Sequence, residues 1–299
     1  MIVLQTHHEH TANADDLDLV IEIGHELVAM TQLGAARAMY LHNLGNALVD
    51  RYHLSDDPAD LDEAITSHET ALAATSGDSP QFAPYLDDWA TAVLYRYRLS
   101  HHPDDLATVV DAREALTRML PARSPEVVKY LNNLGLSLLA NPDVASEPDG
   151  SARATGTFRR ACSIGLETNP AEVLRAAATW GDWASERADW ADSATAYEFG
   201  LAAIETLFRT QPLRRHKEAW LGTTGDMSVN ASYALVRADT ASRAVAALER
   251  GRSLLLSEAL ARGRADLRQL EERGHGQLTA RFIQMTERLR RLSITTGDL

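Results

Sequence analysis

Side chains able to do chemistry are few and scattered. His7, His8, Glu9 and His10 cluster near the start, and imidazoles bind zinc or nickel. No carboxylate or cysteine stands at a ligand-like helical spacing from them, so a frayed terminus is the expected state. His101 and His102 lie together beside Pro103. A pH or metal role is conceivable there, but adjacent histidines in a polar turn are expected to be solvated. The single cysteine, Cys162, excludes an intramolecular disulfide and a cysteine-based zinc site. Its helix offers no histidine for thiol catalysis, and a buried, apolar thiol is expected. Asp87-Asp88 and Asp104-Asp105 are adjacent pairs, which point different ways on a helix, so neither makes an acid/base couple. Ser253 sits mid-helix with no strand before it, unlike a hydrolase nucleophile. Trp180, Trp183 and Trp190 fall within eleven positions, as in a ligand box, yet their helical spacing among alanines fits core packing better. No Gly-rich phosphate loop, His-Glu-x-x-His or Gly-x-Ser-x-Gly occurs. The expectation is no catalytic residue, no cofactor and no metal.

The elements that position these residues follow from a repeat. Tyr40-Leu41, Tyr85-Leu86 and Tyr130-Leu131 are spaced by 45 residues. Pro58, Pro103 and Pro148 keep that step, as do Pro80, Pro125 and Pro170. Arg51-Tyr52-His53-Leu54-Ser55 returns as Arg96-Tyr97-Arg98-Leu99-Ser100. A period in this range is the signature of a stacked helical repeat.

Composition agrees. Hydrophobic residues make up 45% and aromatics 6%, so Ala and Leu build the core, which suits closely packed helices. A net charge of −13 repels phosphate backbones and anionic lipid, so neither nucleic acid nor membrane is an expected partner. Met1 to His10 lacks the basic flank and apolar run of a signal peptide. No apolar stretch reaches the ~18 residues of a membrane span. A soluble, cytoplasmic protein is expected.

Leu17, Val20, Ile21, Ile23, Leu27 and Val28 give a 3.6-residue stripe and predict a helix over Asp15 to Met30. Its Asp-Leu start matches Asp60-Leu61 and Asp105-Leu106, so it reads as the second helix of a repeat whose first is missing. Either the array starts mid-repeat or residues 1–14 replace the partner. The spacing divides the chain into residues 1–37 with this orphan helix and four repeats at 38–82, 83–127, 128–173 and 174–211. A long helical hairpin at 212–273 and a last helix with its tail at 274–299 follow. In the first repeat, helix A carries Leu41, Leu44, Leu48 and Tyr52 inward, and helix B carries Leu61, Ile65, His68 and Leu72. The third repeat lacks the Arg-Tyr segment, which predicts a shorter helix A. In the fourth, Trp190 is placed at the turn. Beyond Pro212, helices are expected over Arg214 to Arg237, Thr240 to about Arg273, and Gln277 to Leu292, with Phe282, Met285, Leu289 and Leu292 on one face.

Leu44-Gly45-x-x-Leu48 with Ala64, His68 and Ala71 resembles the tetratricopeptide (TPR) pattern, with a loop about seven residues longer than the short form. Trp180-Gly181-x-x-Ala184 with Tyr197 resembles the short form. Gly45, Ala90, Gly135 and Gly181 are the small residues helix A needs where helix B crosses closely. The resemblance implies an all-α, right-handed superhelical TPR-like solenoid of about five helix pairs plus a C-terminal helix. The long form resembles arrays in bacterial proteins carrying a CHAT domain, a caspase-like cysteine protease module. Residues 247–260, with Asp266-Leu267 and Leu270, resemble the helix preceding that domain. No His–Cys dyad is visible here, so this resemblance implies a sensor or regulatory arm. The alternatives are the N-terminal part of a protease whose catalytic domain lies beyond residue 299, and a structural homo-oligomer built on the last helix.

In TPR arrays the fifth and ninth positions of helix A line the concave face. They are His42 and Asn46, Asp87 and Thr91, Asn132 and Leu136, and Ala178 and Asp182 here, with Asn43, Asp88 and Asn133 at the sixth. Some TPR proteins clamp a carboxylate at such places with Lys and Asn. This chain departs from them, with Asp87 and Asp88 where an anion would sit and Lys129 as the one nearby cation. The expected partner is a basic or neutral peptide or protein segment rather than an acidic one. The alternative is a polar groove that is merely solvated.

Overall fold

The computed structural model describes residues 14–141, 147–210, 214–253, 272–282 and 284–285. Ten helices run in order: α1 (Ala14–Met30), α2 (Ala35–Ser55), α3 (Pro58–Ala73), α4 (Phe82–Ser100), α5 (Pro103–Met119), α6 (Pro125–Leu139), α7 (Pro148–Thr168), α8 (Pro170–Glu186), α9 (Trp190–Thr210) and α10 (Arg214–Arg237). Residues 241–253 form α11, and 276–282 and 284–285 are helical. No strand occurs among the described residues. Each helix from α1 to α9 packs on the next, and α2 also meets α4, α6 meets α8, and α7 meets α9. The even-numbered helices thus form one layer, the A helices, and the odd-numbered form the other, the B helices. The cluster at His7 to His10, residues 254–271, and Leu289 and Leu292 lie outside the described residues.

The 45-residue motif has a local explanation. Proline opens α3, α5, α6, α7 and α8, where its missing N–H costs nothing. Asp57, Ser124 and Asn169 cap three of these ends by accepting from the N–H of Ala59, Val127 and Glu172. The turn before the proline is left-handed at Asp56 (φ 55°) and His101 (φ 53°). The hydroxyls of Ser55 and Ser100 accept from the N–H of Asp57 and His102, both at 3.2 Å. Arg51 reaches across the turn to both carboxylate oxygens of Asp60, at 2.6–3.2 Å. Arg96 grips Asp105 in the same fork at 2.8 and 3.0 Å. The Arg-Tyr-x-Leu-Ser segment is therefore the clasp of an A–B hairpin. Asn141 stands at this position in the third repeat, and α6 is the short one at 15 residues against 21 for α2 and 19 for α4. Arg96→Gln is expected to lower stability by about 1 kcal/mol and to speed amide exchange at His101–Asp105 alone.

The layers meet at the small residues. A Cβ on Gly45 would lie 2.6 Å from the His68 ring, one on Gly135 2.5 Å from Phe158, and one on Gly181 2.6 Å from Tyr197. Ala90 is fully buried at the same register. Trp180 is fully buried, whereas Trp190 is the first residue of α9 rather than a turn residue. Its partial exposure corrects the expectation that all three tryptophans serve the core. Two large apolar clusters result. One runs from Leu17 in α1 to Val109 in α5, the other from Val127 in α6 to Ala247 in α11. No described helix is long and apolar enough to cross a membrane.

Candidate functional site

The polar residues of the A helices gather where the two apolar clusters adjoin. Arg113, on α5, is 2% exposed. It occupies the register of His68 and Phe158, each 45 residues away. Its fork donates to the Asn133 carbonyl (2.9 Å), the Ser137 hydroxyl (2.5 Å) and the Thr91 hydroxyl (2.9 Å). Its Nε has no hydrogen-bond partner and lies 3.8 Å from Asp87. Asp87, 1% exposed, accepts both bonds of the Asn133 amide at 2.9 and 3.0 Å and pairs with Lys129 at 3.0 Å. Two helices besides its own, α5 and α6, thus close over Asp87, and a buried charge needs such pairing.

This corrects the sequence expectation for Asp87. Its carboxylate is not offered to a groove ligand, because Lys129 and Arg113 neutralise it from α6 and α5. Lys129 is accordingly not the one nearby cation. Asn132 is also buried, at 5%, with its Oδ1 unpartnered. Thr91 is half-buried, donating to the Asp87 carbonyl while accepting from Arg113. Asn133 and Leu136 stay half-exposed above the knot.

Asp88 faces the other way, toward α2. Its carboxylate accepts from Asn46 at 3.4 Å and lies 3.4 Å from His42 Nε2. No lysine or arginine of the described residues lies within 4 Å of it. Burial pushes its carboxyl up to about 6, the charge of Lys129 opposing and that of Asp87 assisting. His42 stacks on Tyr85 at 4.1 Å between ring centroids. Asn43 is half-buried beside it. At the far end, exposed Asp182 accepts from the Tyr197 hydroxyl. The structure therefore joins His42, Asn46 and Asp88, and separately Asp87, Thr91 and Asn133. It leaves Asp182 apart.

Sequence reasoning passed over Arg113. The available signal was register: a charged residue where the neighbouring repeats carry His68 and Phe158. Cys162 is fully buried, and burial pushes its thiol up to about 12, far from a nucleophile. Among the described residues no group of three His, Cys, Asp or Glu could hold a metal ion.

His68 gives a pH dependence. It is fully buried, and neither ring nitrogen has a protein partner. Burial lowers its pKa to about 3, with the charge of His42 adding to this, and burial lowers His42 to about 4. The unfolded chain therefore binds more protons below pH ~6.5, and stability falls from there toward pH 4 and 3. Asp88 works oppositely, its raised pKa relieving a penalty as pH falls from about 6 toward 3.8. Two histidines with larger shifts outweigh it, so the melting midpoint is expected to fall on acidification. His68→Phe, copying Phe158, is expected to raise stability at pH 7 by about 1–2 kcal/mol and to flatten the acid loss. Thermal melts between pH 4 and 8 check both.

No family model matches the chain, and no curated protein matches it in sequence. Solved structures do match. The crystal structure of BtubC (BKLC) from P. vanneervenii superposes with a TM-score of 0.50 at 15% identity, covering 81% of this chain and 91% of that one. TPR-like repeats from Podosopora anserina, described as a kinesin light chain, match with a TM-score of 0.46 at 14% identity, covering 76% and 98%. The stacked A–B hairpins and the first of these likenesses give one conclusion: the chain has the fold of a TPR-like helical-repeat solenoid.

Proposed function

We propose that the chain is a non-catalytic protein–protein interaction scaffold that grips a basic or neutral polypeptide segment along its A-helix face. One observation carries this reading. His42, Asn43, Asn46, Asp88, Thr91, Asn133 and Leu136 form a half-exposed line across α2, α4 and α6, and inter-repeat hydrogen bonds hold it in register. A preordered polar line of this kind suits an extended segment. Asp88 and Asp182 supply its negative field, since Asp87 is spent internally. The units 38–82, 83–127, 128–173 and 174–211 set the binding register. The partner class that the sequence resemblance supports is a CHAT-type protease, regulated in cis or in trans, in the bacterial cytoplasm. Asp88→Asn removes the groove charge without touching the buried pair. For a captured partner, it is expected to weaken binding about tenfold, or 1.4 kcal/mol, with an unchanged or higher melting midpoint. Equal affinity for both proteins would contradict the reading.

A second reading, homo-oligomerisation through the last helix, is favoured by Leu278, Phe282 and Met285, which are 58–62% exposed at helical spacing. Light scattering of Phe282→Glu tests it, a drop from oligomer to monomer mass being the supporting result and an unchanged mass the contrary one.

A further inference from the structure

Between α8, α9 and α10 is a cleft of about 420 Å³ lined by Asp182, Ser185, Glu186, Trp190, Tyr197, Asn230 and Tyr233. Three rings and two carboxylates thus surround one space. Glu186 and Asp182 are exposed, and no cation of the described residues lies within 4 Å of either. Trp190 and Tyr233 meet edge to face at 5.5 Å. Arg237, which is not one of the lining residues, stacks 4.5 Å from the Trp190 centroid and 6.0 Å from that of Tyr233. Its Nη1 donates to the Tyr233 hydroxyl at 3.3 Å. This aromatic pair thus already takes one guanidinium within the protein, and the same cleft carries the carboxylates of Asp182 and Glu186, which balance a cation's charge.

We propose that this cleft is a subsite for an arginine side chain of the bound polypeptide. The proposal rests on the scaffold reading and names the chemistry of one partner residue. The aromatic faces attract a guanidinium through their quadrupoles, and its fork matches carboxylates in two-bond geometry as an ammonium does not. The cleft volume lies in the range of ordinary ligand pockets. Asp182 is held for this role by the Tyr197 hydroxyl, which donates to it, and Tyr197 is fixed by its ring lying against Gly181. Arg237 stands at the rim as a like charge, which makes it a negative determinant of the subsite.

The test uses the full chain labelled with 15N, titrated with Nα-acetyl-arginine amide and, separately, with the neutral isostere Nα-acetyl-citrulline amide. The indole N–H signal of Trp190 is the readout, assigned with Trp190→Phe. The expected result is a saturable shift with a midpoint on the order of 1 mM, in the weak range of the affinity scale, and little response to citrulline. Glu186→Gln is expected to raise the midpoint about threefold and Arg237→Gln to lower it, with melting unchanged in both. Equal response to the two amides, no shift at Trp190, or no effect of Glu186→Gln would overturn the proposal. Because the probe needs no partner protein, a negative result removes the subsite and leaves the groove reading to its own test.

Discussion

Asp87→Ala is expected to lower the unfolding free energy by about 3–5 kcal/mol, the usual cost of removing one member of a buried charge group. The physical cause is what remains. Arg113, 2% exposed, and Lys129 would lose the one carboxylate within 4 Å of them among the described residues, and both donors of the Asn133 amide would lose their acceptor. Asp88, one position on, touches neither cation, so Asp88→Ala is expected to change stability by less than about 1 kcal/mol. The knot also lies between the apolar cluster of α1–α5 and that of α6–α11. In a repeat protein each unit is held by its interface with the next. Amide exchange in Asp87→Ala should therefore quicken most in α4, α5 and α6. A melt equal to the parent protein would refute the assignment of Asp87 as a structural residue.

The second large effect is expected at Gly135. Alanine there would bring a methyl to 2.5 Å from the ring of Phe158, which is fully buried. Overpacking of about 3 kcal/mol outweighs the gain of about 1 kcal/mol in helix propensity, for a net loss of about 2 kcal/mol. The loss is specific to the ring. Phe158→Leu in the same chain should recover most of it, which gives a coupling energy in a double-mutant cycle. Additive effects of the two changes would show that the helices are not in contact at this point. The second repeat makes the same argument without mutation, since Ala90 stands in this register where the B helix carries unbranched Arg113 rather than a ring.

Much of the fold was legible because the chain states it more than once. The prolines, the Arg-Tyr segment and the Asp-Leu pairs recur in step, and each recurrence does the same local work: a helix start, a hairpin clasp, an inward turn of helix B. The helix over Ala14–Met30 was legible from the same match. What periodicity did not reveal was where one repeat departs from the others in chemistry rather than spacing. Asp87 lies on the helix to which it was assigned. Its burial is decided by Lys129 and Arg113, which arrive from two other helices, and a single-helix pattern carries no record of them. Trp190 was placed at the turn, next to where the chain reverses. Ala188 does take a left-handed conformation at φ 57°, and the helix resumes immediately after Asp189. Asp182 was picked by position alone, and only the fold brings it beside the aromatic side chains of α9 and α10.

The most direct measurement is a photo-crosslinking scan. A photoreactive residue is placed singly at Asn43, Leu136 and Ala178 on the A-helix layer, and at the exposed Thr66, Thr108 and Ser163 on the B-helix layer. The account predicts that one and the same polypeptide is trapped from the three A-layer positions, in the order of the repeats along its sequence, and from none of the B-layer positions. Trapping with equal yield from both layers, or from the B layer alone, would contradict it.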